Sequence, residues 1–178
     1  MLMRSMPFQG LKALHLSMLM IGLTACASPS KQLIPKEILP ISFHASVGGA
    51  LGNAYEIELV RDHLRYTVYT STFFRHPRTR IIKPTRQDWT AFWREMEAVE
   101  LWRWRDDYQV PPPNVVNDGT QWHINLAFGN HLVKSSGNNA YPADNDPRRG
   151  GTLVAESTAR FRRFTAAVRR LTGGLDFE

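Results

Sequence analysis

The stretch AYEIELVRDHLRYTVYT, residues 54–70, decides the fold because apolar and polar side chains alternate along both of its halves. In AYEIELV (54–60) the apolar side chains occupy one face and two glutamates occupy the other, and LRYTVYT (64–70) repeats the alternation. A period of two is typical of a strand with one buried face. Arg61-Asp62-His63 between the halves can turn, so the stretch predicts an antiparallel hairpin.

A second hairpin is predicted for QWHINLAFGNHLVKSS, residues 121–136. Gly129-Asn130 lies at its centre, and that pair tolerates the positive φ angles of a tight turn. Two shorter strands are expected at residues 41–47, ended by Gly48-Gly49, and at residues 80–82.

Two segments carry the period of a helix. Thr85 is a good N-cap with Asp88 three residues later, which predicts a helix that ends near residue 100. Residues 153–172 predict a second amphipathic helix. The order of strands, helix, strands and helix predicts one α+β domain over residues 41–178, with an antiparallel sheet of two hairpins and both helices on one face. The apolar stripes are Trp89, Phe92, Trp93 and Met96 in the first helix, and Phe161, Phe164, Val168 and Leu171 in the second.

Composition permits one domain with a sizeable core, because the chain has 178 residues and 11% aromatic side chains. Its single cysteine excludes an internal disulfide and a zinc site built on cysteines. The formal charge is +6, of which Arg4 and Lys12 in residues 1–25 contribute two, so the remainder carries +4. This excess favours anionic surfaces such as lipid headgroups or cell-wall polymers, or simply keeps the surface soluble.

The start of the chain has the features of an export signal. Residues 1–12 hold two cations and no acid, and the apolar run 13–23 is shorter than the about 20 residues that span a bilayer. Leu23-Thr24-Ala25-Cys26 then resembles the bacterial lipobox, in which a leucine and two small residues precede an acceptor cysteine.

This resemblance implies cleavage after Ala25 and attachment of a diacylglyceryl group to Cys26, with a further acyl chain on the new amine. Two or more acyl chains hold a protein firmly in a bilayer. Ala27 follows the cysteine instead of an aspartate, which resembles the signal for export to the outer membrane of a Gram-negative cell. The alternative is an ordinary cleaved signal peptide with a chance cysteine.

Residues 26–40 predict a tether between the lipidated cysteine and the domain. Three prolines in this segment oppose regular pairing and favour extended backbone. The fourteen residues after Cys26, 27–40, reach at most about 46 Å at about 3.3 Å each, so we expect the domain to act close to the membrane.

The most distinctive part of the remaining chain is DGTQWHINLAFGNHLVKSSGNNAYP, residues 118–142. It resembles a recurrent bacterial pattern in which Asp-Gly precedes a tryptophan by three residues and Ser-Gly-x-Asn-Ala-Tyr-Pro follows the hairpin. The resemblance implies no activity. A purely structural interpretation accounts for the motif: Asp118 caps a turn, Trp122 covers the gap left by Gly137, and the Gly-Asn-Asn sequence shapes a corner.

Two functional interpretations use the same segment. In the first, the polar loop at residues 136–146 is a recognition surface, where Asn138, Asn139 and Tyr141 offer amide and ring contacts. In the second, the hairpin register places His123 opposite Ser136 with Asp118 upstream, which are the residue types of a nucleophile, a base and an orienting acid.

The catalytic interpretation lacks support elsewhere in the chain. No Gly-x-Ser-x-Gly sequence is present, and no oxyanion hole is evident. Metal binding is not expected, since His123 and His131 would lie about 16 Å or more apart along the sheet. Residues 144–146 resemble the start of a calcium loop, but Arg149 and Ala155 stand where its glycine and closing glutamate belong.

We therefore expect a non-enzymatic binding module of the cell envelope, without cofactor, that is held to the bilayer through Cys26. Its partner would be an envelope protein or the cell wall, and nucleic acid is not expected for an exported protein. Two alternatives stay open. One is a membrane-tethered hydrolase that uses Ser136 and His123, and the other is an inhibitor or immunity-type protein that blocks a partner enzyme.

Overall fold

The computed structural model describes residues 38–49, 52–70, 76–110, 112–113, 119–146, 148 and 157–178. Every described residue belongs to one compact unit, which begins at Leu33. The predicted leader, Cys26, most of the predicted tether and Asp118 therefore lie outside the described residues. No helix in the described part of the chain is long and apolar enough to cross a membrane.

The described strands form one sheet of seven strands in the order β4-β3-β2-β1-β6-β7-β5. All neighbouring strands are antiparallel except β5 and β7, which are parallel. The strands are β1 (Ser42–Gly48), β2 (Ala54–Val60), β3 (His63–Tyr69), β4 (Arg78–Ile82), β5 (Asp107–Tyr108), β6 (Gln121–Phe128) and β7 (His131–Asn138).

The predicted α+β class is confirmed, but an antiparallel sheet of only two hairpins is wrong. Strand β1 lies between the hairpins and pairs with both β2 and β6, so it joins them into one sheet. Strand β4 extends the first hairpin, and the parallel strand β5 makes the sheet mixed. The pattern of β1 shows a strand but carries no information about which neighbours it pairs with.

Both predicted hairpins are present. Strands β2 and β3 turn at Arg61 and Asp62, and Arg61 has a φ of 61°. Strands β6 and β7 turn at Gly129, where φ is 56°, and at Asn130. The predicted register of the second hairpin is confirmed in full, because Trp122 faces Gly137 and His123 faces Ser136.

Helix α1 spans Arg86–Ala98 and begins with the predicted capping box. The Thr85 side chain accepts a hydrogen bond from the Asp88 amide, and the Asp88 carboxylate accepts one from the Thr85 amide at 2.7 Å. These two bonds satisfy amides that the first turn of a helix leaves without partners.

Helix α2 spans Ala159–Leu171, so the prediction that it includes residues 157, 158 and 172 is wrong, and the predicted residues 153–156 lie outside the described residues. Thr158 is its N-cap and accepts a hydrogen bond from the Phe161 amide. The carboxylate of Asp144 also accepts from the Arg160 amide at 2.7 Å. A carboxylate at a helix N-terminus offsets the partial positive charge there, so the start of α2 is set partly by a residue 15 positions upstream of Ala159.

Both helices pack on one face of the sheet. Phe43 of β1 lies 5.4 Å from Phe92 of α1, and Trp122 of β6 lies 5.0 Å from Phe161 of α2, measured between ring centroids. Trp122 is directly opposite Val47 of β1, and Val47 shares a face with Phe43, so both contacts lie on the same side of the sheet. The buried core is therefore a single layer between the sheet and the two helices.

The segment between α1 and β6 contributes to this core. Leu101–Arg103 form a 3₁₀ turn, and Trp104 after it is buried with its indole N–H donating to the Val99 carbonyl at 3.0 Å. The ring of Trp104 lies 6.0 Å from that of Trp122. In the alternating basic and aromatic stretch LWRWR (101–105), Trp104 is therefore a core residue.

Candidate functional site

The face of the sheet opposite the helices is polar, and neither helix of the described residues covers it. We call it the open face. It is formed by side chains that alternate with the core residues along five adjacent strands. Its central members are His44, Ser46, Glu56, Tyr69, Gln121, His123, Ser136 and Asn138.

A hydrogen-bonded triad of side chains spans three of these strands. Nε2 of His44 lies 2.9 Å from one carboxylate oxygen of Glu56, and the Tyr69 hydroxyl donates to the other oxygen at 2.9 Å. Burial raises the pKa of Glu56, but the hydrogen bonds from His44 and Tyr69 outweigh it and hold that pKa below its ordinary value. Because an ionised carboxylate only accepts, the Nε2 atom of His44 is the donor.

His123 lies beside this triad. Its ring centroid is 5.7 Å from that of His44, and its strand pairs with β1 such that His123 is opposite Ser46. Partial burial and the neighbouring His44 both lower the pKa of His123. Each of these effects disfavours the charged imidazolium, so the neutral form of His123 predominates at pH 7.

Two shallow hollows adjoin on the open face. One is lined by Ser46, Gln109, Gln121, His123, Ser136 and Asn138, among others. The second shares Ser46 and Gln121 with the first and continues to Glu56 and Tyr69. The shared residues make the two hollows one continuous surface, which carries hydroxyl, amide, imidazole and carboxylate groups beside apolar residues such as Val47 and Ala54.

The predicted neighbours His123 and Ser136 lie together in the first hollow, where the Ser136 hydroxyl bonds to a backbone carbonyl. The Ser136 hydroxyl donates to the Asp106 carbonyl at 3.3 Å, and the Ser136 amide donates to the same oxygen at 3.0 Å. The ring contact of His123 is with His44. The third predicted member, Asp118, lies outside the described residues.

Asn139 and Tyr141, two of the three residues predicted for binding, have structural contacts. Asn139 has a φ of 46°, and its side-chain oxygen accepts from the Thr120 amide at 2.6 Å while its own amide donates to the Thr120 carbonyl at 2.9 Å. Tyr141 is only 8% exposed, and its ring lies 4.9 Å from that of Phe161. Asn138 alone of the three lines the open face.

His123, His131 and Asp144 lie in different surroundings. His131 stacks on Trp102 with ring centroids 5.0 Å apart, at the turn end of the hairpin, whereas His123 lies toward its other end. Asp144 caps α2. Among the described residues no group of three or more histidine, cysteine, aspartate or glutamate side chains is placed to hold a metal ion.

Sequence reasoning missed the triad of His44, Glu56 and Tyr69. The alternation in residues 54–60 assigns Glu56 to the polar face, and the hairpin places Tyr69 on that same face. His44 approaches only because β1 pairs with β2, and no local pattern specifies that pairing. The signal available in the sequence was the presence of polar residues at alternate positions of all three strands.

No model of a known protein family matches the chain, and no curated protein matches it. A function must therefore be inferred from the chemistry of the open face and from the sequence of the leader.

Proposed function

We propose that this protein is a lipid-anchored binding module of the bacterial cell envelope, and that its open face recognises a polar partner. Lipidation of Cys26 would hold the domain at the outer membrane if the host is Gram-negative. The resemblance of Leu23-Thr24-Ala25-Cys26 to a lipobox supports the anchor, and the short apolar run before it supports cleavage after Ala25.

The observation that carries the binding proposal is the location of both described helices on one side of the sheet. The other side presents a concave row of donors and acceptors, from Ser136 on β7 to Tyr69 on β3, with the ionised Glu56 between them. The His44 and Tyr69 donors hold that carboxylate in place. A surface whose polar groups are already oriented loses less conformational entropy when it binds.

Photo-crosslinking in intact cells tests this proposal. A photoreactive amino acid at Gln121, which is exposed on the open face, is expected to join the protein to an envelope component. The matched control places the same group at Gln87, which is exposed on α1. A product from Gln87 but not from Gln121, or none from either, would contradict recognition by the open face.

The anchor is tested separately by mass spectrometry of the native protein. We expect a chain that begins at Cys26 and carries the mass of a diacylglyceryl group, with or without a further acyl chain. Detection of the leader on the mature protein, or of an unmodified thiol, would refute the anchor without bearing on the open face.

A hydrolase is the second candidate, because the neutral His123 and the hydroxyl of Ser136 face each other across β6 and β7 in one hollow. The bond from Ser136 to the Asp106 carbonyl weighs against it. A fluorophosphonate probe discriminates the two functions. A binding module leaves the probe unreacted, whereas labelling that Ser136→Ala abolishes and Ser46→Ala retains would establish a serine hydrolase.

A further inference from the structure

Strand β4 forms one edge of the sheet, and in the described part of the chain only β3 pairs with it. The outer side of an edge strand presents backbone N–H and C=O groups that a further strand can pair with. We propose that β4 accepts an extended, acidic segment of a partner protein as an added strand. This inference is independent of the function proposed for the open face.

The positive charge of β4 favours an acidic partner. Arg78 and Arg80 are exposed and point to the same side of the sheet, opposite Val68 and Tyr66 of β3. Neither forms an ion pair with any other described residue, whereas Arg65 on β3 is paired with Glu58. Two carboxylates at alternate positions of an added strand would lie opposite these two guanidinium groups.

The other face of β4 favours an apolar contact. Ile81 is 62% exposed. It lies directly opposite Arg65 of β3, and the guanidinium of Arg65 is already paired with Glu58. In recognition by strand addition the main-chain hydrogen bonds supply affinity and alternate side chains supply specificity. The best occupant therefore alternates acidic residues, facing the arginines, with apolar residues, facing Ile81.

A second copy of the chain fits this edge poorly. Antiparallel pairing of two β4 strands about Arg80 would place the two Arg80 side chains opposite each other, and like charges in that position are destabilising. The other edge of the described sheet is β5, which has only two residues and is too short to supply a matching strand. The two arginines thus oppose self-association while they favour an acidic partner.

The test measures fluorescence anisotropy of a labelled peptide, Glu-Val-Glu-Val-Glu-Val, titrated with the full chain in neutral detergent. We expect saturable binding that the double variant Arg78→Glu/Arg80→Glu weakens at least about tenfold. The matched control is Arg86→Glu/Arg94→Glu, which makes the same charge change at exposed positions of α1 and should bind like the wild type. The same peptide with alternate N-methylated residues keeps its charge but cannot form a strand ladder, so it should not bind.

Three results would overturn the proposal. These are no saturable binding at protein concentrations up to about 1 mM, equal weakening by the control variant, or equal binding of the N-methylated peptide. An anionic lipid surface is the alternative ligand for the two arginines, and vesicles of phosphatidylglycerol test it. Binding of the vesicles through Arg78 and Arg80 without competition from the peptide would assign the edge to a lipid surface and refute strand addition.

Discussion

Trp122 occupies the space that a side chain on Gly137 would need. The two residues are paired across β6 and β7, and a Cβ atom at position 137 would lie 2.6 Å from the indole nitrogen and 2.4 Å from the Ala140 carbonyl oxygen. That indole nitrogen donates to the same carbonyl at 2.9 Å. The tryptophan and the glycine of the distinctive motif therefore form one packing unit.

Gly137→Ala is expected to destabilise the domain by about 1–3 kcal/mol, because the added methyl group must displace the indole or break its hydrogen bond. Urea unfolding followed by tryptophan fluorescence measures the change. The control is Gly52→Ala, since a Cβ atom at position 52 has nothing within 4 Å. If both variants unfold at the same urea concentration, Trp122 does not exclude a side chain at position 137.

Asn139→Ala is expected to cost about 1–3 kcal/mol, because alanine disfavours the positive φ and leaves the Thr120 amide without its side-chain acceptor. Asn139→Asp retains an acceptor and tolerates this backbone conformation, so it should remain close to the wild type. Thermal unfolding of both variants is the measurement. A variant at Asn139 that loses partner capture while keeping its melting temperature would instead support the binding role predicted for this residue from the sequence.

The parts of the fold that could be predicted are those set by neighbours in sequence. Alternation identified β2 and β3 to within a residue, and placing Gly129 in the turn fixed the whole register of the second hairpin. The capping box at Thr85 was predicted for the same reason, since its two hydrogen bonds span only three residues. The adjacency of His123 and Ser136 follows from that register as well.

The parts that could not be predicted depend on contacts between distant segments. Strand β5 has only two residues, and the segment just before it is held by bonds such as that from the Ser135 hydroxyl to the Arg105 carbonyl at 2.6 Å, which no local pattern predicts. The place of His44 beside Glu56 requires the pairing of β1 with β2. The burial of Tyr141 requires α2 to pack against the hairpin, so the motif alone suggested a surface residue.

Thr85→Ala should destabilise the domain by about 1 kcal/mol, because the Asp88 amide loses its acceptor at the start of α1. The matched control is Thr90→Ala within the same helix, where the hydroxyl only bonds back to the Arg86 carbonyl and is exposed. Chemical denaturation of the two variants distinguishes them. An equal or larger loss for Thr90→Ala would show that the cap contributes nothing beyond the removal of a hydroxyl.

His123 is expected to titrate below the ordinary histidine value of 6.5, because partial burial and then the neighbouring His44 both disfavour its protonated form. NMR of the histidine ring carbons during a pH titration measures this directly. In His44→Asn the charge at position 44 is absent, so the pKa of His123 should rise toward 6.5 while burial still holds it below that value. A pKa of His123 at or above 6.5 in the wild type, or no movement in His44→Asn, would contradict this explanation.

The same lowered pKa sets the sign of a stability change with pH. Between 6.5 and the lower folded-state pKa of His123, the unfolded chain binds a proton at this position that the folded chain does not. The free energy of unfolding should therefore decrease as the pH falls through this window. At lower pH both states carry the proton, and His123 causes no further change. His123→Asn removes this contribution, so its unfolding free energy should fall less steeply over the same range than that of the wild type. An unchanged slope in His123→Asn would show that another group is responsible.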